Sequence, residues 1–483
     1  MVVGLVLRRI FRPFFGSFSQ EMKVLLSHGY FLSEDPKEKI IMRPYPPLGI
    51  LCLSAYLKQM GVDTSVYDTT FSTLDHFKSY LRQHRPRFLA LYVNLMTKRN
   101  ILAMMKFVRE DADLNRTFIV LGGPEVRHHD EEFLRFGADV IVFGEGESTL
   151  HDVVTMLDGG LNPFWDTIEG IAYLNMAGGV VRTPEREKIK DLDRLPLPDR
   201  LAIDHQLYFD AWKQKHGKSA ISINTMRGCP YTCKWCSRAV YGLSYRRRSP
   251  EKVVQEIQWI QKHYQVDTIW FVDDVFTVSH KWLKAFVDAL QEAGTSISYE
   301  CITRADRMNE EVVDLLAQSG CFRVWIGAES GSQQVLDAMD RRVEARQVRD
   351  MIRLSQAKGI QAGTFIMLGY PGETEADIVE TARHLFESAP DLFTITVAYP
   401  IKGTDLYESV EKELITDKNW EERSDRDLDF PRTYPRRYYD HAVRWVTNWV
   451  HASLAWRKKQ YVKSIKFRSK AAVAWAGMLR NRS

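Results

Sequence analysis

Residues 220–238 read "AISINTMRGCPYTCKWCSR", and this stretch decides the fold. "AISI" has the apolar character of a buried strand, and three cysteines follow it within eight positions, Cys229, Cys233 and Cys236, spaced by three residues and then two. Further strand-like runs come after it: "TIWFVDDVF" (268–276), "SYECITRAD" (298–306), "FRVWIGAES" (322–330), "IQAGTFIMLGY" (360–370) and "LFTITVAYP" (392–400). Helical stretches such as "SPEKVVQEIQWIQKHY" and "NEEVVDLLAQSG" separate them. Six strand and helix units over about 200 residues suit a partial (β/α)6 barrel of the TIM type, because a full eightfold barrel needs about 250. The cysteines follow the first strand, so they fall on the carboxyl-terminal rim, where barrels of this kind carry their chemistry.

Six cysteines in 483 residues, half of them in one loop, argue against a disulfide scaffold and for metal binding or redox chemistry. Structural zinc takes four ligands, so a zinc site would have to recruit Cys301, Cys321 or a histidine. A thioredoxin-like dithiol needs two cysteines rather than three. A [4Fe–4S] cluster on three thiolates leaves one iron open, where a substrate can coordinate. Spacing and position favour the cluster, and the other two readings stay open.

A second alternating array lies upstream. "KVLLSHG", "TSVYD", "FLALYVN", "TFIVLGGP" and "VIVFGEGE" read as strands, with "LGILCLSAYLKQMG" the first helix between them. Five strands alternating with helices predict an α/β, doubly wound Rossmann-like sheet whose ligand lies at the strands' carboxyl ends. Asp68, Asn94, Gly122, Gly123, Pro124, Gly144, Glu145, Gly146 and Glu147 stand there. These glycines admit a large flat ligand or simply close tight turns. No G-x-G-x-x-G follows the first strand, which disfavours a nicotinamide cofactor.

The pattern predicts an amino-terminal extension (1–21), a ligand-binding domain (22–185) ending in the hairpin "IAYLNMAGGVVRT", and a linker (186–218) containing "DLDRLPLPDR". The barrel (219–425) and a basic, aromatic, helical segment (426–483) complete it. No run of eighteen apolar residues exists, and "MVVGLVLRRIFRPFFGSF" lacks a basic leader and a cleavage site, so the expected location is cytoplasmic. That opening stretch reads as a short interfacial anchor or as sequence upstream of the start at Met22.

Cys229-x-x-x-Cys233-x-Trp235-Cys236 after a first strand resembles the signature of the radical S-adenosylmethionine enzymes, including the aromatic residue before the last cysteine. The resemblance implies a [4Fe–4S] cluster on Cys229, Cys233 and Cys236. Its open iron would bind the amino and carboxylate groups of S-adenosylmethionine, and one electron would cleave the sulfonium to a 5′-deoxyadenosyl radical. Carried over residue by residue, it implies Asp273 and Asp274 for the methionyl amine, and Arg304 for the carboxylate. Glu329 and Ser330 would serve the ribose, and Met367 and Gly369 of "FIMLGYPGE", with Trp235, would add backbone and apolar packing. Asp273 or Asp274 could equally cap a helix, and Arg304 serve an internal ion pair.

"PPLGILCLSAYLKQMG", "LGGPE" and "VFGEGEST" resemble the cobalamin-binding domain that precedes the barrel in the cobalamin-dependent branch, which includes radical C-methyltransferases and the anaerobic magnesium-protoporphyrin ester cyclase. The resemblance covers roughly residues 23–410. It implies cobalamin against Leu48, the strand-end residues above, and Asn94, Leu95 and Met96, which are expected nearest the cobalt. D-x-H-x-x-G is absent, so no protein histidine is expected below the cobalt; His128 and His129 are read as the start of a solvated helix. The implied activity is methylation of an unactivated carbon in a small-molecule or lipid substrate, with an external one-electron reductant such as flavodoxin or ferredoxin. Oxidative cyclisation or rearrangement without methyl transfer is the alternative within the branch.

From Pro431 to Ser483 thirteen Lys or Arg face one acidic residue, interleaved with Trp445, Trp449, Trp456 and Trp475. The bland reading of "YYDHAVRWVTNWVHASLAWRKKQ" is a helix packed on the barrel; peripheral membrane contact comes next. A non-catalytic corrinoid or iron–sulfur sensor that binds nucleic acid is the reading from another class, weakened by a net charge of only +4. Substrate contacts are expected from strand ends, from Tyr399 to Lys402 and from the carboxyl-terminal segment.

Overall fold

Successive residues of the amino-terminal strands point to opposite faces, and both faces are apolar, which requires helices on each side. The computed structural model shows this arrangement and describes residues 24–159 and 164–482. Residues 1–21 and the readings attached to them, with Met22 and Lys23 of the first expected strand, lie outside the described residues. The chain divides into two compact units. One comprises the residues up to Ser219 with Arg238–Arg246 and Asn419–Ser424; the other comprises Ala220–Ser237, Arg247–Lys418 and Asp425 onward.

In the first unit, β1 (Val24–His28), β2 (Thr64–Tyr67), β3 (Phe88–Tyr92), β4 (Phe118–Gly122) and β5 (Val140–Val142) run parallel in the order β2-β1-β3-β4-β5. Leu25, Leu89, Leu91, Ile119, Leu121 and Ile141 enter one core layer with Phe77, Ile101, Met105 and Phe133 of helices Leu74–His84, Lys98–Glu110 and Asp130–Phe136. Their neighbours Val24, Leu26, Phe88, Val120 and Val140 enter the other, against Ile50 and Leu57 of helix Leu48–Gln59 and Leu150 and Val153 of helix Gly146–Asp158. The direction of winding reverses between β1 and β3, and the crevice at such a point is where open α/β sheets bind ligands.

The expected hairpin does more than close the unit: β6 (Ile171–Leu174) and β7 (Val180–Arg182) extend the same sheet antiparallel beyond β5. Residues 186–218, linker-like in composition, fold onto this unit through helix His205–His216, which buries Tyr208, Phe209 and Trp212. Trp212 donates its indole N–H to Pro44 O at 2.8 Å. Proline-rich composition reported backbone stiffness here, and the aromatic residues supplied the attachment.

In the second unit, β8 (Ala220–Ile223), β9 (Thr268–Phe271), β10 (Tyr299–Thr303), β11 (Cys321–Glu329), β12 (Gln361–Leu368) and β13 (Leu392–Val397) are parallel and adjacent in chain order. Sequential order with a helical connection at every step, two helices between β11 and β12, winds the sheet in one direction, which is the partial barrel expected. Helix starts are fixed locally. Ser249 Oγ accepts the Lys252 N–H at 3.2 Å ahead of Pro250, and Thr374 and Asp377 form a reciprocal capping box before helix Glu375–Ser388.

Two further helices, Arg436–Arg457 and Tyr461–Arg480, pack on each other, with the Trp445 and Trp475 rings 5.0 Å apart and Ser464 Oγ donating to Ala452 O at 2.9 Å. The first also lies on the barrel, where Trp449 meets Phe386 edge to face at 6.0 Å. Among the described residues no helix is long and apolar enough to cross a membrane.

Candidate functional site

The loop after β8 carries the three cysteines, and its backbone is held from both ends. Asp273, just beyond β9, accepts from the Thr225 N–H at 2.7 Å, the Met226 N–H at 3.2 Å and the Thr225 hydroxyl, with Arg247 at 3.5 Å. Further along, Thr232 donates to Asp340 at 2.6 Å, Lys234 N to Met339 O at 3.2 Å, and Leu406 N to Lys234 O at 2.9 Å. Cys233 is buried, Cys229 is half-buried, and Cys236 is exposed at the tip.

Arg304 and Arg341 converge on Cys233. The first, beyond β10, donates to Sγ at 3.5 Å, to Asp306 at 2.8 Å and to Arg341 O at 2.7 Å, with its guanidinium 3.9 Å from the centre of the Tyr231 ring. The second donates to the same Sγ at 3.6 Å and to Gly327 O at 2.9 Å, and lies 3.7 Å from Glu329. Its Nε is buried with no hydrogen-bond partner among the described residues, an orphaned donor next to the thiols. Gly327 makes the approach possible, because a Cβ there would stand 2.6 Å from Arg341 Nη2 and 2.9 Å from Glu329 Oε1.

Glu329 ends β11 at a register irregularity, with φ at +66°. A non-glycine residue in the left-handed region marks local strain of the kind held at functional sites. Burial raises its carboxyl above the ordinary range, against the opposing charges of Arg341 and Arg304. Asp274, exposed as a residue, is likewise raised, by desolvation first and then by Asp273.

The thiols carry the matching signature. Burial pushes Cys229 up, with Asp274 and Cys233 adding to it. Cys236 reaches about 12 although the residue is exposed, because its sulfur is desolvated and faces Cys233, Asp274, Cys229 and Glu329. Three thiols and two carboxylates crowded at one rim form a donor set that calls for a cation, and an iron–sulfur cluster fits it. Cys301 and Cys321, the alternative ligands, pair with each other: Cys301 is raised by burial and by its bond to Cys321, which also donates to Arg323 O at 3.2 Å.

Other expected residues have different neighbours. The Ser330 hydroxyl meets Thr381 at 3.1 Å and accepts from Ser332 N at 3.1 Å, bonds that hold the loop after β11 against helix Glu375–Ser388. Trp235 and Met367 pack together against the buried cluster of Val335, Met339, Tyr370 and Phe430. Gly369 donates its N–H to Glu373 at 2.5 Å and its carbonyl accepts from Arg432 at 3.1 Å. Of the residues expected to meet substrate, Tyr399 lies 5.8 Å from the Arg426 guanidinium, and Lys402 N donates to Asp425 at 2.7 Å.

In the first unit the crevice between β1 and β3 is lined on the β3 side by the turn at Asn94, whose side chain accepts from Met96 N at 2.9 Å and Thr97 N at 3.0 Å. This presents Leu95 half-buried and Met96 at 39% exposure. Gly123 has φ +110°, and a Cβ there would lie 2.4 Å from Val93 O, so only glycine fits the turn after β4. An apolar, side-chain-free shelf of this kind, continued by Gly122 and Pro124, fits the flat face of a corrin. Half-buried Leu48, the first residue of its helix, and Gly144, Gly146 and buried Glu147 stand at the two helix-bearing turns of the opposite layer.

Two expected contacts organise protein instead. Asp68 takes hydrogen bonds from His28 at 2.9 Å, Thr70 N at 3.0 Å and Tyr208 at 2.6 Å. Burial raises its carboxyl, and these three partners outweigh that and hold it below the ordinary range. Glu145 accepts from Ile189 N at 2.9 Å and Arg246 at 2.6 Å. His129, expected in a solvated helix start, is buried: its Nδ1 accepts the Trp420 indole N–H at 3.0 Å, because residues 419–424 fold over it.

Arg341 was missing from the sequence reading, and so was Tyr208. The triplet "DRR" (340–342) gave the only signal for the arginine, and nothing in it distinguishes Arg341 from exposed Arg342.

Residues 223–385 match the radical SAM superfamily model, and residues 42–154 match the B12 binding domain model. An uncharacterized methyltransferase of Pyrococcus horikoshii is 26% identical over 397 residues, spanning 80% of this chain and 83% of that protein. The anaerobic magnesium-protoporphyrin IX monomethyl ester cyclase of Rubrivivax gelatinosus is 28% identical over 400 residues, spanning 80% and 70%. The solved radical S-adenosylmethionine methyltransferase TsrM of Kitasatospora setae, with cobalamin and a [4Fe–4S] cluster bound, shares the fold at a TM-score of 0.70 and 16% identity, covering 93% of this chain and 100% of that one.

Proposed function

Because this chain is a cobalamin-dependent radical S-adenosylmethionine enzyme, a B12-binding domain followed by a radical SAM domain, we propose that it methylates an unactivated carbon of a lipophilic or natural-product substrate. The single observation that carries the reading is the donor set at the barrel rim, three thiols with no fourth cysteine beside them among the described residues and two buried arginines on the middle one. When bound, the cluster and S-adenosylmethionine supply a carbon-centred radical, and cobalamin supplies a transferable methyl group.

The chain's own residues have the following roles. Cys229, Cys233 and Cys236 hold the cluster. Arg304 and Arg341 fix Cys233 and offer guanidinium N–H groups to the methionyl carboxylate, to which the orphaned Arg341 Nε is suited. Asp274 accepts from the methionyl amine, and Asp273 shapes the loop behind it. Glu329 takes the ribose hydroxyls, while Ser330 holds the strained turn. Trp235, Met367 and the backbone at Gly369 give the adenine an apolar seat and exclude water. Leu48, Leu95, Met96, Gly122, Gly123, Pro124, Gly144, Gly146 and Glu147 meet the corrin; Asn94, Asp68 and Glu145 set the turns that present them. A flavodoxin or ferredoxin serves as reductant.

The relative's methyltransferase name supports methyl transfer, and the similarity to the ester cyclase favours oxidative cyclisation as a second reading. Anaerobic turnover by the reconstituted enzyme decides between them. Methyl transfer yields both 5′-deoxyadenosine and S-adenosylhomocysteine; 5′-deoxyadenosine alone overturns it and leaves cyclisation.

A further inference from the structure

Helix Tyr461–Arg480 has one face committed and one face bare. Ser464, Ala471, Ala474 and Met478 are buried against helix Arg436–Arg457, with the rings of Phe467 and Trp475 between them. The opposite face carries Val462 at 86% exposure, Ile465 at 63%, Val473 at 75% and Leu479 at 51%, continued by exposed Ala472 and Ala476. At 3.6 residues per turn these six fall on about one third of the helix circumference, with Ser469 between Ile465 and Ala472, so they form one largely apolar stripe on the outside of the helix. Scattered exposed apolar residues need no explanation, but a stripe gathered on one face along the length of a helix does.

The charges beside the stripe identify its partner. Lys463, Lys466 and Lys470 line one flank, Arg468 the other, and Arg480 and Arg482 the far end. No acidic residue occurs between His441 and Ser483. Trp456 and Tyr461 are both about half-exposed, pack at 5.0 Å where the two helices meet, and Arg468 lies 4.7 Å from the Trp456 ring. An apolar stripe bordered by lysines, with aromatic rings at one end, is built for the boundary between acyl chains and headgroups. The lysine stems lie along the apolar surface there and their ammonium groups reach anionic phosphates.

We propose that the outer face of helix Tyr461–Arg480 docks in the plane of an anionic lipid bilayer. The helix lies on the surface and does not span, in keeping with the absence of a spanning helix among the described residues. A polar protein partner would match the cations but leave the valines and isoleucine facing polar groups, and a second copy would set cation against cation. The proposal is independent of which reaction the enzyme performs.

Co-sedimentation of the full-length holoenzyme with vesicles of phosphatidylcholine and phosphatidylglycerol in equal parts, and with phosphatidylcholine alone, tests it. The expected result is binding to the anionic vesicles that weakens with salt, and little binding to the neutral ones. Val462→Glu, Ile465→Glu and Val473→Glu together should abolish binding while circular dichroism and the melting temperature stay unchanged, since all three side chains are exposed. Lys463→Gln, Lys466→Gln and Lys470→Gln should each weaken it about fivefold. No binding to anionic vesicles overturns the proposal, as does binding that survives the glutamate variant. A wild-type dimer dissolved by that variant, without lipid binding, would show that a second copy covers the face and would equally overturn it.

Discussion

Arg341 reaches across 108 residues of chain to donate to the sulfur of Cys233 at 3.6 Å. The contact exists because Gly327 leaves room for the guanidinium and because the Met339 carbonyl and the Asp340 carboxylate accept hydrogen bonds from the cysteine loop. Removing the planar fork while keeping the charge separates geometry from electrostatics. Arg341→Lys should keep the fold and still take up iron, but weaken S-adenosylmethionine binding about ten- to hundredfold, since charge-assisted hydrogen bonds are worth roughly 1.5–3 kcal/mol. Equilibrium binding to the reconstituted protein, with iron and sulfide content measured alongside, checks it. Unchanged affinity with full iron content would leave Arg341 a purely structural role.

Gly123 leaves no room for a side chain in the turn after β4. A methyl group there collides with Val93 O, and the backbone sits where side chains are disfavoured. Gly123→Ala should destabilise the unit by about 1–3 kcal/mol and reduce hydroxocobalamin uptake measured by absorbance. Retention of the wild-type melting temperature and full uptake would show that the turn relaxes without reshaping the shelf.

Tyr208 supplies one of three hydrogen bonds to Asp68, from a helix in the segment that reads as a linker. Its phenol is itself pushed well up by burial and by that carboxylate, so the proton stays on the tyrosine. Tyr208→Phe should lower stability by roughly 1–3 kcal/mol. It should also move the acid limb of the stability curve to higher pH. Asp68 is depressed in the folded state, so its contribution is present above the unfolded carboxylate range and lost as pH falls through the folded value. With one donor removed, that folded value rises. Denaturant unfolding of the two proteins over the acid range tests both parts.

The fold was legible because β1–β5 and β8–β13 are parallel, short apolar runs separated by helices, and that alternation is visible in the sequence. The cysteine triad was legible because all three thiols share one loop. The remainder of the site was harder, for geometric reasons. Asp273 and Asp274 are adjacent, and the loop after β9 turns one inward to the Thr225 amide and the other out towards the thiols. A doublet in sequence does not say which is which. Arg341, Tyr208 and the bond from Trp420 to His129 depend on segments that meet only once the chain has folded, and no local pattern encodes such meetings.

His384 shows how a buried group couples the stability of the second unit to pH. It lies on helix Glu375–Ser388 beneath Gly331, with Nε2 buried and unpartnered and Arg349 3.5 Å from Nδ1. Burial, with the Arg349 charge added, lowers its pKa to about 3, against an ordinary value of 6.5. The folded protein therefore refuses a proton that the unfolded chain accepts. Stability is fully present above the unfolded value and is lost as pH falls below it, by about 1.4 kcal/mol per pH unit, down to the folded value. His384→Gln removes the titrating ring, so its stability should change less between about pH 6.5 and pH 4, with the wild type falling more steeply. Urea unfolding followed by circular dichroism across that range measures both slopes; parallel slopes would mean that another group sets the acid limb of the barrel.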